Sequence, residues 1–158
     1  MTAQTASLAR KVFTDPVHFL AFGFGTGLAP VAPGTFGSLP GVLLALLTLE
    51  LGIHIQIGIA IALFLAGIPI CGISARKLAA HDHPGIVWDE ICGMYVTLLL
   101  VGSSLLGIAL GFALFRLFDI LKPWPIRDLD HRLGGGLGIM LDDLVAALYA
   151  LILLALVG

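Results

Sequence analysis

Three long apolar runs constrain this chain more than anything else in it. Ile55 to Ala75, Ile91 to Phe118 and Leu141 to Val157 carry few charges, and the first is uninterrupted over the length a bilayer-crossing helix needs. The whole sequence leans the same way. It is 59% hydrophobic and 11% charged, where soluble domains average roughly 45–50% and about 25%. With a mean hydropathy of +1.08, lipid is the expected solvent for much of the surface. The 158 residues suit one domain, and a net charge of −2 gives no basis for a nucleic-acid partner. Arg10 and Lys11 are followed by Val12-Phe13-Thr14-Asp15-Pro16 rather than an apolar core, so no secretory signal is expected. Cys71 and Cys92 have neither disulfide nor zinc spacing and read as small core residues in a reducing compartment.

Taken in order, residues 1–15 predict a flexible cytosolic N-terminus, and residues 16–158 a single membrane domain. From Phe22 to Ser38 the chain is apolar enough to enter a membrane, yet its glycines and prolines argue against a plain helix. Non-helical backbone survives at membrane depth only under cover of protein or water, so a re-entrant or interfacial segment is expected. Ser38 reads as an N-cap for a helix from Leu39 to about Ile53, and a second helix is predicted from Ile55 to about Ala75. The run from Ile91 to Phe118 is broken by Gly102-Ser103-Ser104, and is either one tilted span or a hairpin. Charge placement favours the hairpin. It puts all eight Lys and Arg on one side, with nine of the ten acids, Glu50 being the exception. Positive-inside bias then makes that face cytosolic. Ile91–Val101 would rise only ~16 Å, short of the ~30 Å of a bilayer core, so the hairpin enters without crossing fully. Leu141–Val157 completes an all-α, polytopic membrane bundle.

The polar residues gather in four short segments. His81-Asp82-His83-Pro84-Gly85-Ile86-Val87-Trp88-Asp89-Glu90 sets two adjacent acids at the start of an apolar run. Such a pair either complements a helix N-terminus or holds a hard cation such as Mg²⁺ through carboxylate oxygens. Asp142 and Asp143, after a glycine-rich stretch, repeat the arrangement before the last helix, and four converging carboxylates would repel one another without a cation. Arg116, Asp119 and Lys122 follow one another at helical spacing. They form either a helix-end ion pair or a functional cluster, since charges near a membrane are costly. The fourth segment, Pro33-Gly34-Thr35-Phe36-Gly37-Ser38, leads into a helix whose free N–H groups suit an anion such as phosphate.

Other phosphatase chemistries do not fit. Cys71 and Arg76 are separated by four residues where a cysteine-phosphatase loop needs five. Asp128-Leu129-Asp130 is followed by His131-Arg132, with no apolar strand before it, and reads as solvated loop acids. His18 and His54 are lone histidines with no triad around them.

Together the four segments resemble the phosphatidylglycerophosphatase A family from about Pro16 to Ala147. The match rests on PVAPGTFGS at 30–38, HDHPGIVWDEICG at 81–93, FRLFDILKPWPI at 115–126 and GLGIMLDDLVA at 136–146. Several ungapped motifs in fixed order are far more specific than any one alone. The resemblance implies an all-helical, Mg²⁺-dependent enzyme of the bacterial inner membrane. It would be multi-pass with a cytosolic active face, cleaving the terminal phosphate of phosphatidylglycerophosphate to leave phosphatidylglycerol. It implies Asp89, Glu90, Asp142 and Asp143 as metal ligands. Asp119, Arg116, Lys122 and Asp82 are then the catalytic candidates, and Thr35, Ser38, Gly34 and Arg127 the phosphate-binding ones. The partners are the phospholipid substrate and membrane lipids, with oligomeric state left open. The rival from another class is a small membrane transporter or channel, which would spread its charges along a path rather than gather them on one face.

Overall fold

The computed structural model describes residues 3–80, 83–124, 126 and 133–157, with side chains from residue 6 to residue 156. Those residues form helices and turns without strands. The helices are α1 (Ala3–Thr14), α2 (Pro16–Ala21), α3 (Pro33–Leu47), α4 (Ile53–Lys77), α5 (Trp88–Thr97), α6 (Leu105–Leu121) and α7 (Gly135–Val157), with a 3-10 segment (Gly23–Leu28) between α2 and α3.

The bundle is built around α5. Its ten residues are all buried except Glu90, which is half-buried, because α3, α4, α6 and α7 pack around it. A helix apolar on every side is stable only in such a place. α3 runs parallel to α5: Gly34 lies against Glu90, and fourteen residues on Thr48 Oγ1 meets Tyr95 Oη at 3.1 Å. α4 runs the opposite way, with Leu63 O accepting from Trp88 Nε1 at 3.1 Å and Ala60 beside Cys92. α6 returns antiparallel to α5 after the turn at 98–104, where Ser104 caps α6 by accepting from Gly107 N at 3.2 Å. The run from Ile91 to Phe118 is therefore a hairpin. Among the described residues, every charged side chain but Glu50 lies toward the end where α3 and α5 begin and α4 and α6 finish.

α4 and α7 are long and apolar enough to cross a membrane, and only 28% and 39% of their most apolar windows are buried. The core helix of a soluble protein would be mostly covered. Here Ile57, Ile61 and Leu65 of α4 and Ile152 and Leu156 of α7 point outward. The two helices meet closely at Gly136, where a Cβ would fall 1.8 Å from Ile68 O. Small residues let membrane helices approach in this way.

Two boundaries differ from the sequence expectation. α3 starts at Pro33, not after Ser38: Pro33 occupies the first helical position, where its fixed φ suits the helix. The Gly/Pro-rich stretch is thus divided between the 3-10 segment and the first turns of α3, and Ser38 donates from inside the helix to Gly34 O at 2.8 Å. α7 starts at Gly135, six residues before Leu141, so Asp142 and Asp143 are interior residues rather than caps. Ahead of these, Ala3–Thr14 forms α1, whose Val12 is buried in the core cluster with Phe22 and Cys71.

Candidate active site

Three helices deliver acids to one point. Asp89 and Glu90 stand in the first turn of α5. Asp143 comes from α7, two turns inside the helix. Ligand oxygens of these three all lie within 4.8 Å of one another. α6 adds Arg116 and Asp119: Arg116 Nη1 is 3.5 Å from Glu90 Oε1 and 2.5 Å from Asp119 Oδ2. Asp119 in turn lies within hydrogen-bonding reach of Asp143. α3 closes the site from above with Gly34. A Cβ there would sit 2.2 Å from Glu90 Oε1 and 2.8 Å from Arg116 Nη2, so any larger residue would have to displace both side chains. Thr35 is half-buried in the same first turn, and its N–H donates to Ala32 O at 2.9 Å.

The adjacent acid of α7 goes elsewhere. Asp142 Oδ2 accepts from Lys122 Nζ at 2.6 Å, tying α7 to the end of α6. Lys122 reaches it from a left-handed C-cap, φ 42°, just before Pro123. Neighbouring residues on a helix point about 100° apart, so one acid enters the cluster while the other meets a lysine. Of the four expected metal ligands, three are brought together and Asp142 is not among them. Ser38, with its hydroxyl engaged on Gly34 O, is turned into the helix. His83 accepts from Gly85 N at 3.0 Å, shaping the turn before α5. Asp82, His81, Arg127, Asp128, Asp130, His131 and Arg132 lie outside the described residues.

Among the described residues the cluster is electrostatically unbalanced: Asp89, Glu90, Asp119 and Asp143 face one guanidinium, that of Arg116. Among the described residues, oxygens Asp89 Oδ1, Glu90 Oε2 and Asp143 Oδ2, as well as Asp142 Oδ1, are buried without a hydrogen bond. Buried acceptors of this kind are costly unless something donates to them or coordinates them. Burial raises the Asp89 carboxyl well above its usual range, helped by the charges of Glu90 and Asp143. It lifts Glu90 to about 7, against the pull of Arg116. A divalent cation answers all three observations. Opposite oxygens around one Mg²⁺ lie about 4.2 Å apart, close to the spread seen here. The donors are hard carboxylates, and the unpartnered oxygens of Asp89, Glu90 and Asp143 would be the ligand atoms.

His18, read from the sequence as a lone histidine, has a structural partner. Its Nδ1 lies 2.8 Å from Ser74 Oγ, both residues buried, joining α2 to α4 away from the acids. Nothing in its sequence surroundings marks the pairing, which joins residues 56 apart.

Fold and cluster define a class: a membrane-associated helical protein whose polar end gathers buried carboxylates beside an arginine. The sequence profile of the family described as PgpA, phosphatidylglycerophosphatase A, matches residues 19–158. The chain belongs to that family, and so falls among the phosphatases. It is similar to a phosphatidylglycerophosphatase A of Haemophilus influenzae, 47% identical over 140 residues, 87% of this chain and 86% of the relative. A protein of the same name from Escherichia coli is 40% identical over 156 residues, 95% and 88% of the two chains. A Bacteroides thetaiotaomicron relative, named provisionally as a phosphatidylinositol-3-phosphatase, is 35% identical over 84% of this chain and 87% of its own. No solved structure matches the chain.

Proposed function

We propose that this protein hydrolyses the terminal phosphate of phosphatidylglycerophosphate, giving phosphatidylglycerol and phosphate, with Mg²⁺ held by Asp89, Glu90 and Asp143. The observation that carries the reading is the buried carboxylate trio with unpartnered oxygens beside Arg116, at the polar end of an outwardly apolar bundle. The names of the relatives supply the substrate. A lipid phosphomonoester carries its charge at the membrane surface, where this bundle keeps its own. The charge asymmetry supports a multi-pass arrangement with that end cytosolic, and the Gly/Pro-rich stretch serves as an interfacial cover over the site. Charges gathered at one end, rather than strung through the bundle, disfavour a transporter.

The chemistry such an ion supplies when bound is polarisation of a phosphoryl oxygen and a lowered pKa for water. The chain's residues do the rest. Arg116 Nε makes no hydrogen bond among the described residues and donates to the phosphoryl group as charge develops there. Asp119, held by Arg116, accepts the proton of the attacking water and returns one to the leaving glycerol oxygen as the P–O bond breaks. Gly34 and Thr35, at the start of α3, place backbone close to the phosphate. Lys122 and Asp142 fix the end of α6 against α7 and so hold Arg116 and Asp143 in register. Asp82 and Arg127 are further candidates from the adjoining stretches.

The test is phosphate release from phosphatidylglycerophosphate by purified protein in detergent, with Mg²⁺ and then with excess chelator. Turnover that stops on chelation is expected. Turnover indifferent to the chelator would remove the metal from the reading, and no turnover at all would remove the substrate.

A further inference from the structure

We infer that α1 lies in the headgroup layer of the membrane, and that Arg10 and Lys11 on it draw anionic phospholipid to that edge of the bundle. The inference rests on α4 and α7 being membrane helices, not on the phosphatase reading. At about 100° per residue, Leu8 and Val12 share one side of α1, and both pack into the core. Arg10 falls on the opposite side, with Phe13 and Lys11 flanking it, and all three are exposed. The apolar side of α1 is therefore covered by protein, while Phe13, 63% exposed, is left outside.

Two observations identify anionic lipid as what meets this edge. The first is continuity with the apolar outer surface. α3 contains no charged residue, and Phe36, Leu39, Leu43 and Leu47 form an exposed stripe along it. Phe24, 50% exposed and held at φ 60°, stands beside Leu39 and Leu43. From it a row of rings leads to α1: Phe24 to Phe19 at 5.6 Å and Phe19 to Phe13 at 6.0 Å between centroids. Arg10 comes next, one helical turn from Phe13. An apolar stripe, then aromatic rings, then a base is the layering of a surface that sits at the bilayer–water boundary. The second observation is charge. Among the described residues of the polar end, the exposed charged side chains are Arg10, Lys11, Arg76 and Lys77, all basic. Every described acid there, from Asp15 to Asp143, is half-buried or buried. Lys77 is paired with Asp15 where α1 meets α2, whereas Arg10 and Lys11 have no acidic partner among the described residues. A chain of net charge −2 thus turns a positive edge outward. Bases so placed are attracted to an anionic leaflet, and salt screens the attraction.

The experiment uses the full chain in phosphatidylcholine vesicles, with a fluorophore on Ala6→Cys, which lies on the outward side of α1 one turn before Arg10. Cys71 and Cys92 are buried and stay unlabelled. Two spin-labelled lipids, each with its nitroxide near the top of one acyl chain, differ only in headgroup: one is a phosphatidylserine, the other a phosphatidylcholine. Neither carries a phosphomonoester, so the acidic site takes no part in the result. Quenching by the phosphatidylserine probe should be about threefold that by the phosphatidylcholine probe at low salt. The two should converge at about 1 M salt, where the screening length is ~3 Å. Arg10→Gln with Lys11→Gln should bring the ratio to about one, while Arg10→Lys with Lys11→Arg, which keeps both charges, should preserve it. Equal quenching by the two lipids at low salt overturns the proposal, and so does a preference that survives the glutamine pair. Absence of quenching by either lipid places α1 in water or under another protein, and overturns it as well.

Discussion

The two acid pairs of this chain look alike in sequence and part company in the fold. Asp89 and Glu90 both turn into the cluster, because α5 is enclosed and its first turn has no solvent side. Asp142 and Asp143 are divided: Asp143 joins the cluster, and Asp142 meets Lys122 at the seam between α6 and α7. Adjacency of two carboxylates therefore says little about shared chemistry. What decides is whether the helix has one protein-facing side or several.

The sharpest way to break this comparison is to neutralise each member of the second pair. Asp143→Asn, like Asp89→Asn, should lower turnover by about 10²–10⁴, the effect of losing several kcal/mol of metal-ion stabilisation. Asp142→Asn should lose only about tenfold, the low end of the ~10–100-fold cost of a residue that supports ligands rather than being one. Phosphate-release kinetics at saturating Mg²⁺ would show whether the ranking is reversed. A smaller effect, about 10–10²-fold in kcat, is expected from Gly34→Ala. It removes no charge and only pushes Glu90 and Arg116 out of place. An unaltered rate in that variant would mean that α3 does not bear on the site.

Smaller still is the contribution of the seam. Asp142→Asn and Lys122→Met should each cost about 1–2 kcal/mol of stability, between the exposed and buried limits for ion pairs, since the lysine side chain is 26% exposed. The double variant should lose less than the sum, which thermal melts in detergent can measure. Additive losses would mean that the 2.6 Å contact carries no coupling.

The first pair makes a prediction about pH. Glu90 sits at about 7 in the ion-free fold, above the usual ~4.3 of an unfolded glutamate. Between those values the folded state binds the extra proton, so stability in chelator should fall as pH rises from about 5 to 7.5. Mg²⁺ must displace that proton, so its apparent affinity should weaken as pH drops below about 7. Melts with and without Mg²⁺ across this range test both signs. An ion-free protein that grows more stable toward pH 7.5 would contradict them.

Much of this was legible in the sequence. The α5–α6 hairpin followed from charge placement, and Asp89, Glu90, Asp143, Arg116 and Asp119 were singled out by charges too costly to leave idle in an apolar chain. Helix starts were not legible where glycine precedes them. Gly135–Gly138 read as loop, yet in a helix packed on Ile68 the missing side chain is what permits the contact. Gly34 was misread for the same reason, since its close packing against Glu90 outweighs its poor helix propensity, while Pro33 takes the first helical position, where its fixed φ is suited. The partner of Asp142 was hidden because Lys122 lies 20 residues away and reaches it from a left-handed cap.

The central claim is that one cation site is shared by Asp89, Glu90 and Asp143 and excludes Asp142. Mn²⁺, a paramagnetic stand-in for Mg²⁺, allows binding to be read directly by electron paramagnetic resonance, independently of turnover. Titrating purified wild-type protein, Asp143→Asn and Asp142→Asn should show saturable binding in the wild type, binding within tenfold of it in Asp142→Asn, and loss of the site in Asp143→Asn. Loss in Asp142→Asn with retention in Asp143→Asn would contradict the account.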